Sequence, residues 1–327
     1  LLNLNKNQTH QPDSLYHLTS SLKNGLEAVD ELIIANLNVG ENLIQEIAKS
    51  LIKAGGKRLR PLLCLACSTI VKSVNDHSIY LAAAVELIHA ATLLHDDVID
   101  ESNLRRGIPT ANATWGNKPS ILVGDFLFAR AFELMVKTNN IQCLDILSSA
   151  SSKISEGEIT QLRTMHSFDV SVEEYIKLIE KKTAVLFESA CKTGAIAADA
   201  DEKSANNLGL YGRYFGIMYQ IMDDIYDYTN GERGKKVGDD FKEGKITLPI
   251  LLAFEVDPDK NFWINTFSKS NESHSRWQEV QNKLIQFDVF EKNLKIADFY
   301  KQKATEQLRD FSQPYVESLI GLLEQFS

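Results

Sequence analysis

Apolar positions recur at helical spacing through most of the chain. Leu43, Ile47, Leu51 and Ile52 share one face ahead of Gly55-Gly56, which predicts a helix ended by the glycine pair. Residues 81–94 are apolar almost all round, the pattern of a helix buried on every side. Residues 121–135, 175–198, 208–228 and 247–254 read the same way. Strict alternation, the mark of a half-buried strand, is scarce. None of the seven prolines lies between Pro119 and Pro249. An interior proline costs a helix about 3 kcal/mol, so this stretch is free to be helical. Gly107 and Gly116 with Pro109 and Pro119 punctuate one predicted loop, and Gly231, Gly234, Gly238 and Gly244 another. Residues 257–273 are polar, contain Pro258 and predict a surface connection. No composition shift marks a domain boundary. The pattern predicts an all-α fold, residues 1–327 forming one domain of roughly a dozen helices.

Composition narrows the classes of function. The chain has 327 residues, 44% hydrophobic and 24% charged, the balance of a folded globular protein rather than a disordered one. Its formal net charge of −9 disfavours a nucleic-acid binder, which needs a basic face to displace counterions. No run of about 18 uninterrupted apolar residues occurs, so no transmembrane segment is expected. The start at Leu1-Leu2-Asn3 lacks the basic and apolar regions of a signal peptide. Four cysteines are too few for a disulfide scaffold at this length and suit a reducing cytoplasm. Cys64 and Cys67 form a C-x-x-C inside an apolar helical run with no second pair, which predicts core packing rather than redox or zinc chemistry.

The chemistry concentrates in two acidic clusters of the same form. One is His95-Asp96-Asp97-Val98-Ile99-Asp100 and the other Met222-Asp223-Asp224-Ile225-Tyr226-Asp227, each after a long apolar stretch. Aspartates at i and i+4 stand one above the other on a helix, about 6 Å apart along the axis. Buried like charges at that spacing need a neutralising partner. Oxygen-only ligands suit Mg²⁺, which keeps several waters and bridges carboxylates to phosphate oxygens. A single D-x-x-x-D is often a solvated helix end. Two in apolar settings imply a magnesium–diphosphate clamp.

Basic residues complement it. Lys57, Arg58 and Arg60 follow Gly55-Gly56; Arg105-Arg106 follows the first cluster; Lys181-Lys182-Thr183 lies in a helix; Lys235, Lys236 and Lys245 flank the second glycine-rich loop. Guanidinium forks match phosphate oxygens, and lysine supplies a point charge. The chain has no G-x-x-x-x-G-K-[ST], so a Walker-type nucleotide site is not expected.

With these motifs together the sequence resembles the trans-polyprenyl diphosphate synthases. The matching segments are GGKRLRP (55–61), ELIHAATLLHDDVIDESNLRRGIPT (86–110), VGDFLFARAF (123–132), EGEITQL (156–162), KKTAVLF (181–187), YQIMDDIYD (219–227) and GKKVGDDFKEGKITLP (234–249). The resemblance implies an isoprenoid-synthase-type helical bundle around a deep central cavity. It implies Mg²⁺, three ions when substrate is bound, held on the allylic diphosphate by Asp96, Asp100 and Asp223. Asp97 would support the first pair, and Asp224 and Asp227 would act behind Asp223 or through water. Arg105, Lys182, Thr183, Gln220, Lys235 and Lys245 would bind the allylic diphosphate, and Lys57, Arg60, His89 and Arg106 isopentenyl diphosphate. His89 lies seven residues before Asp96, two turns and roughly 10 Å away on the same face. His95 has no such support and reads as structural. No side chain is nominated as the proton acceptor; the released diphosphate can serve.

Product length follows from residues a turn below Asp96. The fourth and fifth positions upstream are Thr92 and Ala91, both small. An aromatic there resembles short-chain synthases, and small residues resemble long-chain ones. Phe126, Leu127, Phe128, Phe132, Leu134 and Met135 are candidates for a deeper floor. The expected product is therefore long, of the octaprenyl to decaprenyl kind used for quinone side chains. A farnesyl or geranylgeranyl synthase is the alternative that Ala91 and Thr92 oppose. A non-catalytic regulatory subunit would carry eroded aspartate motifs, and a terpene cyclase would not need the Lys57, Arg60 and His89 set. The resemblance further implies a cytoplasmic homodimer, paired through the helix at 121–135, with transient membrane contact for product release.

Overall fold

The computed structural model describes residues 14–38, 40–53, 56–105, 107–229, 238–268, 276–312 and 315–327. They are almost wholly helical. Helices α1 (Ser14–Ser21), α2 (Lys23–Leu37) and α3 (Asn42–Lys53) lead into α4 (Leu59–Val71) and α5 (Asp76–Ile99). A two-residue antiparallel hairpin follows, β1 (Leu104–Arg105) against β2 (Ile108–Pro109). After α6 (Ala111–Trp115) come the long helices α7 (Asn117–Lys137) and α8 (Ile141–Thr164). Helix α9 (Val172–Ile179) passes through one wide π turn, Glu180–Ala184, into α10 (Val185–Ala197). The longest helix, α11 (Glu202–Tyr228), precedes α12 (Asp239–Glu243), α13 (Leu248–Val256), α14 (Lys260–Thr266), α15 (Trp277–Gln286), α16 (Val289–Gln307) and α17 (Tyr315–Phe326).

Helix α5 is the centre of the bundle, packed by α7, α4, α10 and α2. Asn75 starts it through a reciprocal capping box with Ser78. Its length and composition would suffice to cross a membrane, against the expectation from uninterrupted runs. Ala82, Ala83, Ala84, Val85 and Ile88 are instead fully enclosed by neighbouring helices, as in a core helix. Helix α11 packs on α10 and α16. At Gly216 an added Cβ would stand 2.6 Å from the Ala184 Cα, so this glycine lets α11 lie directly on the π turn. Cys64, Cys67, Cys143 and Cys191 are all unpaired and completely buried, as the C-x-x-C reading expected. Burial pushes the Cys143 thiol up to about 12 and raises Cys64 and Cys191 as well, which makes them inert.

Two local expectations are corrected. Pro119 is not in a loop but in the first turn of α7, where its missing N–H has no intrahelical partner to lose. Residues 257–268 are not a mere surface connection, because they contain α14 and the fully buried Trp263. The Trp263 indole N–H and the Lys283 ammonium both donate to Asp257 Oδ2, at 2.9 and 2.6 Å, and Asp257 is itself buried. Polar composition hid a buried ion pair.

Candidate active site

The C-terminal turn of α5 presents the first aspartate motif. Asp97 turns inward and is held by Arg105, whose Nε lies 3.0 Å and Nη2 2.7 Å from Oδ1. The Asp97 carbonyl also accepts from the Asn112 amide at 3.0 Å. Arg105, expected on substrate, is thus spent in large part on bracing the motif from the β-hairpin. Asp100 accepts from Lys245 Nζ at 2.8 Å, and Lys245 also pairs with Glu243. Burial alone would lower the Lys245 ammonium; Asp240, Asp100 and Glu243 outweigh it and raise it. Asp96 is half-buried. Burial pushes its carboxyl up to about 7, with Lys182 opposing and Glu158 and Asp100 adding to the rise. A carboxyl so placed calls for a cation.

His95 sits beside this motif and is structural, as expected. Its ring meets the Ile121 carbonyl at 3.1 Å and the Asp125 carboxylate at 3.6 Å on α7. A Cβ at Gly124 would stand 2.2 Å from His95 Nε2, so Gly124 is small to admit this ring.

The second motif closes α11. Asp224 is 2% exposed and accepts from the Tyr175 hydroxyl and from Gln220 Nε2 at 2.9 Å. Gln220 Oε1 in turn accepts from Thr183 Oγ1 at 2.9 Å. Asp227 accepts the backbone N–H of Asp239 and of Asp240, both at 3.1 Å, and so anchors the start of α12. Burial and the Asp240 charge push the Asp227 carboxyl up to about 7 against those two hydrogen bonds. Expected behind Asp223 or through water, the Asp227 carboxylate is directed at the start of α12. Asp223 stays half-buried at the neighbouring helical position.

Between the motifs, Lys182 leaves the π turn toward α8, where Glu158 Oε2 lies at 2.8 Å and Gln161 Oε1 at 2.6 Å. The second Glu158 oxygen is buried without a hydrogen-bond partner. A cavity of about 120 Å³ opens here, its lining including the polar Lys182, Thr183, Gln220, Asp224, Asp240 and Lys245 and the largely apolar Val170, Tyr175, Leu178, Ile179 and Ile246. The expected allylic-site residues Lys182, Thr183, Gln220 and Lys245 are therefore brought together. Glu158, Gln161 and Tyr175 were missed. The first two lie three residues apart in EGEITQL, a polar pair on one helix face; Tyr175 carried no signal beyond an apolar helix.

The second cation set gathers elsewhere. Lys57 Nζ stands 4.4 Å above the Phe326 ring and the Arg60 guanidinium 4.2 Å above Phe187. Phe187, Tyr219 and Phe326 are in ring contact, so both cations rest on one aromatic floor. Arg60 Nε is buried without a hydrogen-bond partner; burial lowers the guanidinium, with Glu86 and Tyr219 opposing. The middle cation, Arg58, has a left-handed backbone at φ 49° and is tied to Glu86 at 2.7 Å and Asp30 at 3.3 Å. His89 is half-buried on α5. Phe326, in the last helix, lies far from any motif and was not anticipated. Arg106 and Lys235 fall outside the described residues.

Residues 41–284 match the Polyprenyl synthetase family. The chain belongs to that family. It is 37% identical over 301 residues to octaprenyl diphosphate synthase of Escherichia coli K12, covering 91% of this chain and 93% of that one. A decaprenyl diphosphate synthase from Rhodobacter capsulatus superposes with a TM-score of 0.92 at 37% identity, over 95% of this chain and 98% of that one. A polyprenyl synthase from Caulobacter crescentus, solved with calcium and isoprenyl diphosphate, gives 0.92 at 40% identity over 97% and 98%. The protein is a prenyltransferase with the all-α fold expected of it.

The residues present fit a hard divalent cation. Among the described residues no three His, Cys, Asp or Glu side chains form a metal cage by themselves. Asp96, Asp100 and Asp223 offer oxygen donors only, the kind a hard divalent cation takes beside water and phosphate oxygens. In this prenyltransferase Asp97, Asp224 and Asp227 are each committed to protein partners.

Of the pair expected to set product length, Ala91 is completely buried and Thr92 half-buried, its hydroxyl donating to the His89 carbonyl at 2.8 Å. Of the candidates for a deeper floor, Leu127, Leu134 and Met135 are buried, whereas Phe132 is 38% exposed.

Proposed function

We propose that this prenyltransferase adds isopentenyl diphosphate repeatedly to an allylic diphosphate, making a long all-trans polyprenyl diphosphate for quinone side chains. The observation that carries this is the pair of aspartate motifs with two lysines beside them, Lys245 on Asp100 of the first and both Lys245 and Lys182 lining the cavity next to Asp224 of the second, while a separate cation pair, Lys57 and Arg60, rests on its aromatic floor. One cluster suits the diphosphate that leaves; the other suits a diphosphate that stays.

Bound Mg²⁺ would supply charge neutralisation to the departing diphosphate, with Asp96, Asp100 and Asp223 as its carboxylates and three ions as the expected complement. Lys182 and Lys245 add positive charge on the same side, and Thr183 and Gln220 fix the helix that carries Asp223. The C1–O bond of the allylic diphosphate breaks, the isopentenyl double bond supplies the electrons of the new C–C bond, and a proton leaves to the released diphosphate. Arg105 contributes by holding Asp97. Lys57, Arg60, His89 and Arg106 orient isopentenyl diphosphate, and Lys235 joins the allylic side.

Small Ala91 and Thr92 leave room for a growing chain. An exposed apolar stripe on α7, with Leu122 at 67% and Val136 at 59% exposure, supports pairing with a second copy. Four unpaired cysteines support work in the cytoplasm, and an insoluble product supports transient membrane contact. The test is incubation with Mg²⁺, isopentenyl diphosphate and an allylic primer, then sizing of dephosphorylated products. Products of eight to ten units are expected; arrest at three or four would select the short-chain reading, and no condensation would refute catalysis.

A further inference from the structure

Tyr175 is 3% exposed, and its hydroxyl is buried against Asp224. It belongs to α9, a helix pinned at its start by a capping box between Ser171 and Glu174. Together with Gln220 it supplies a donor to each oxygen of a carboxylate that water scarcely reaches. A buried carboxylate without donors is strongly disfavoured, so these partners decide where Asp224 points.

The π turn makes the arrangement possible. In a continuous α-helix Tyr175 and Thr183 would stand about 80° apart around the axis. The wide turn at Glu180–Ala184 absorbs one residue, which brings them to within about 20°. Both then face α11, where Thr183 meets Gln220 and Tyr175 meets Asp224. Lys182 is rotated off that face and reaches Glu158 and Gln161 on α8. Because Gly216 lets the backbone of α11 lie on the π turn, the two helices cannot slide independently.

We infer that Tyr175 is a positioning residue for the second aspartate motif: it ties the Asp224 carboxylate into the cavity wall, opposite Gln220, and so keeps Asp223 as the motif's carboxylate for the metal-bound diphosphate. This rests on the functional reading above. Without the hydroxyl, Asp224 can turn into the cavity that it lines beside Lys182 and Lys245. There it would compete for the cation and repel the diphosphate.

The full chain is compared as wild type, Tyr175→Phe, Asp224→Ala and the double variant. Mg²⁺ uptake in the presence of inorganic diphosphate is measured by calorimetry, and the first condensation by steady-state kinetics. Tyr175→Phe removes one oxygen and keeps the ring packing, so thermal unfolding should confirm an intact fold. The half-saturating Mg²⁺ and the KM for the allylic substrate should each rise about tenfold, with the isopentenyl KM little changed. In the Asp224→Ala background, where the hydroxyl has nothing to hold, Tyr175→Phe should have no further effect. An equal loss in both backgrounds, or a fall in kcat at unchanged Mg²⁺ half-saturation, would overturn the proposal. If the wild type takes up Mg²⁺ with diphosphate but condenses nothing, the functional reading fails, and the calorimetric comparison still decides the role of Tyr175.

Discussion

Lys245 Nζ lies 2.8 Å from Asp100 Oδ2, joining the loop after the second aspartate motif to the last carboxylate of the first. Asp100 and Lys245 are separated by 145 residues, and each is largely shielded from water. The pair gives the two motifs a fixed relation before any substrate arrives. Replacing Lys245 by Met removes the charge and keeps most of the stem. We expect turnover to fall about 10²-fold, by analogy with the loss of one charge-stabilising donor at a reaction centre. The allylic KM should rise more than the isopentenyl KM. Equal changes in both constants would place Lys245 outside the allylic side.

The carboxylates of the two motifs are expected to divide by role. Asp96→Ala and Asp223→Ala should each lower turnover by about 10³-fold or more with helical content unchanged. Asp97→Asn should cost less, because it weakens a brace from Arg105 rather than a ligand, but it should lower the melting temperature as well. Circular dichroism beside the condensation assay separates the two classes. Near-normal turnover in Asp96→Ala would refute the clamp.

Stability and ligand uptake should depend on pH in a defined direction. The Asp96 and Asp227 carboxyls titrate at about 7 in the folded chain, against about 3.9 for an unfolded aspartate. Between those values the folded chain holds more protons than the unfolded one, so each group's contribution to stability declines as pH rises from about 4 to about 7. Asp96→Asn lacks that decline for its own site, so its melting temperature should gain on the wild type across this window. Mg²⁺ with inorganic diphosphate should expel more protons from the wild type than from Asp96→Asn near pH 6, and the difference should shrink by pH 8. Calorimetry in buffers of different ionisation enthalpy measures this for both proteins. Equal proton release by the two at pH 6 would contradict it.

Product length should respond to ring size at two positions. Ala91→Phe adds an aromatic ring in a completely enclosed place, where overpacking typically costs about 1–3 kcal/mol. Thr92→Phe adds it on the half-buried face one turn below Asp96. Either should shorten the product toward three or four units by family resemblance, while the first condensation persists. Unchanged long products from both would show that the chain does not pass α5 here.

Phe326 should matter to isopentenyl diphosphate although it is the penultimate residue of the chain. Its ring lies under Lys57 and against Tyr219. Phe326→Ala should raise the isopentenyl KM several-fold and leave the allylic KM nearly unchanged, since a cation–π contact of this kind is worth about 0.5–2 kcal/mol. An effect confined to the allylic substrate would contradict the assignment of this floor.

The sequence by itself determined the helical class, the burial of α5 and α11 and the identity of the charged groups. Those properties are local: 3.6-residue periodicity, scarce proline and aspartates at i and i+4 can be read along one segment. It also determined the family, because several motifs recur in fixed order. What each charged residue does was decided by tertiary structure. Asp97, second in its motif, and Asp227, last in its own, look like the other motif aspartates in sequence, yet one is consumed by Arg105 and the other by the backbone of α12. Arg58 looks like Lys57 and Arg60 in sequence, but Glu86 and Asp30 claim it. Tyr175, Gln161 and Phe326 gained their places only when α9, α8 and α17 packed against the motif helices. The π turn shows the reason most directly. No residue type between 180 and 184 announces an extra residue in the turn, and its energetic cost is repaid only where α11 offers Gln220 and Asp224 to Thr183 and Tyr175.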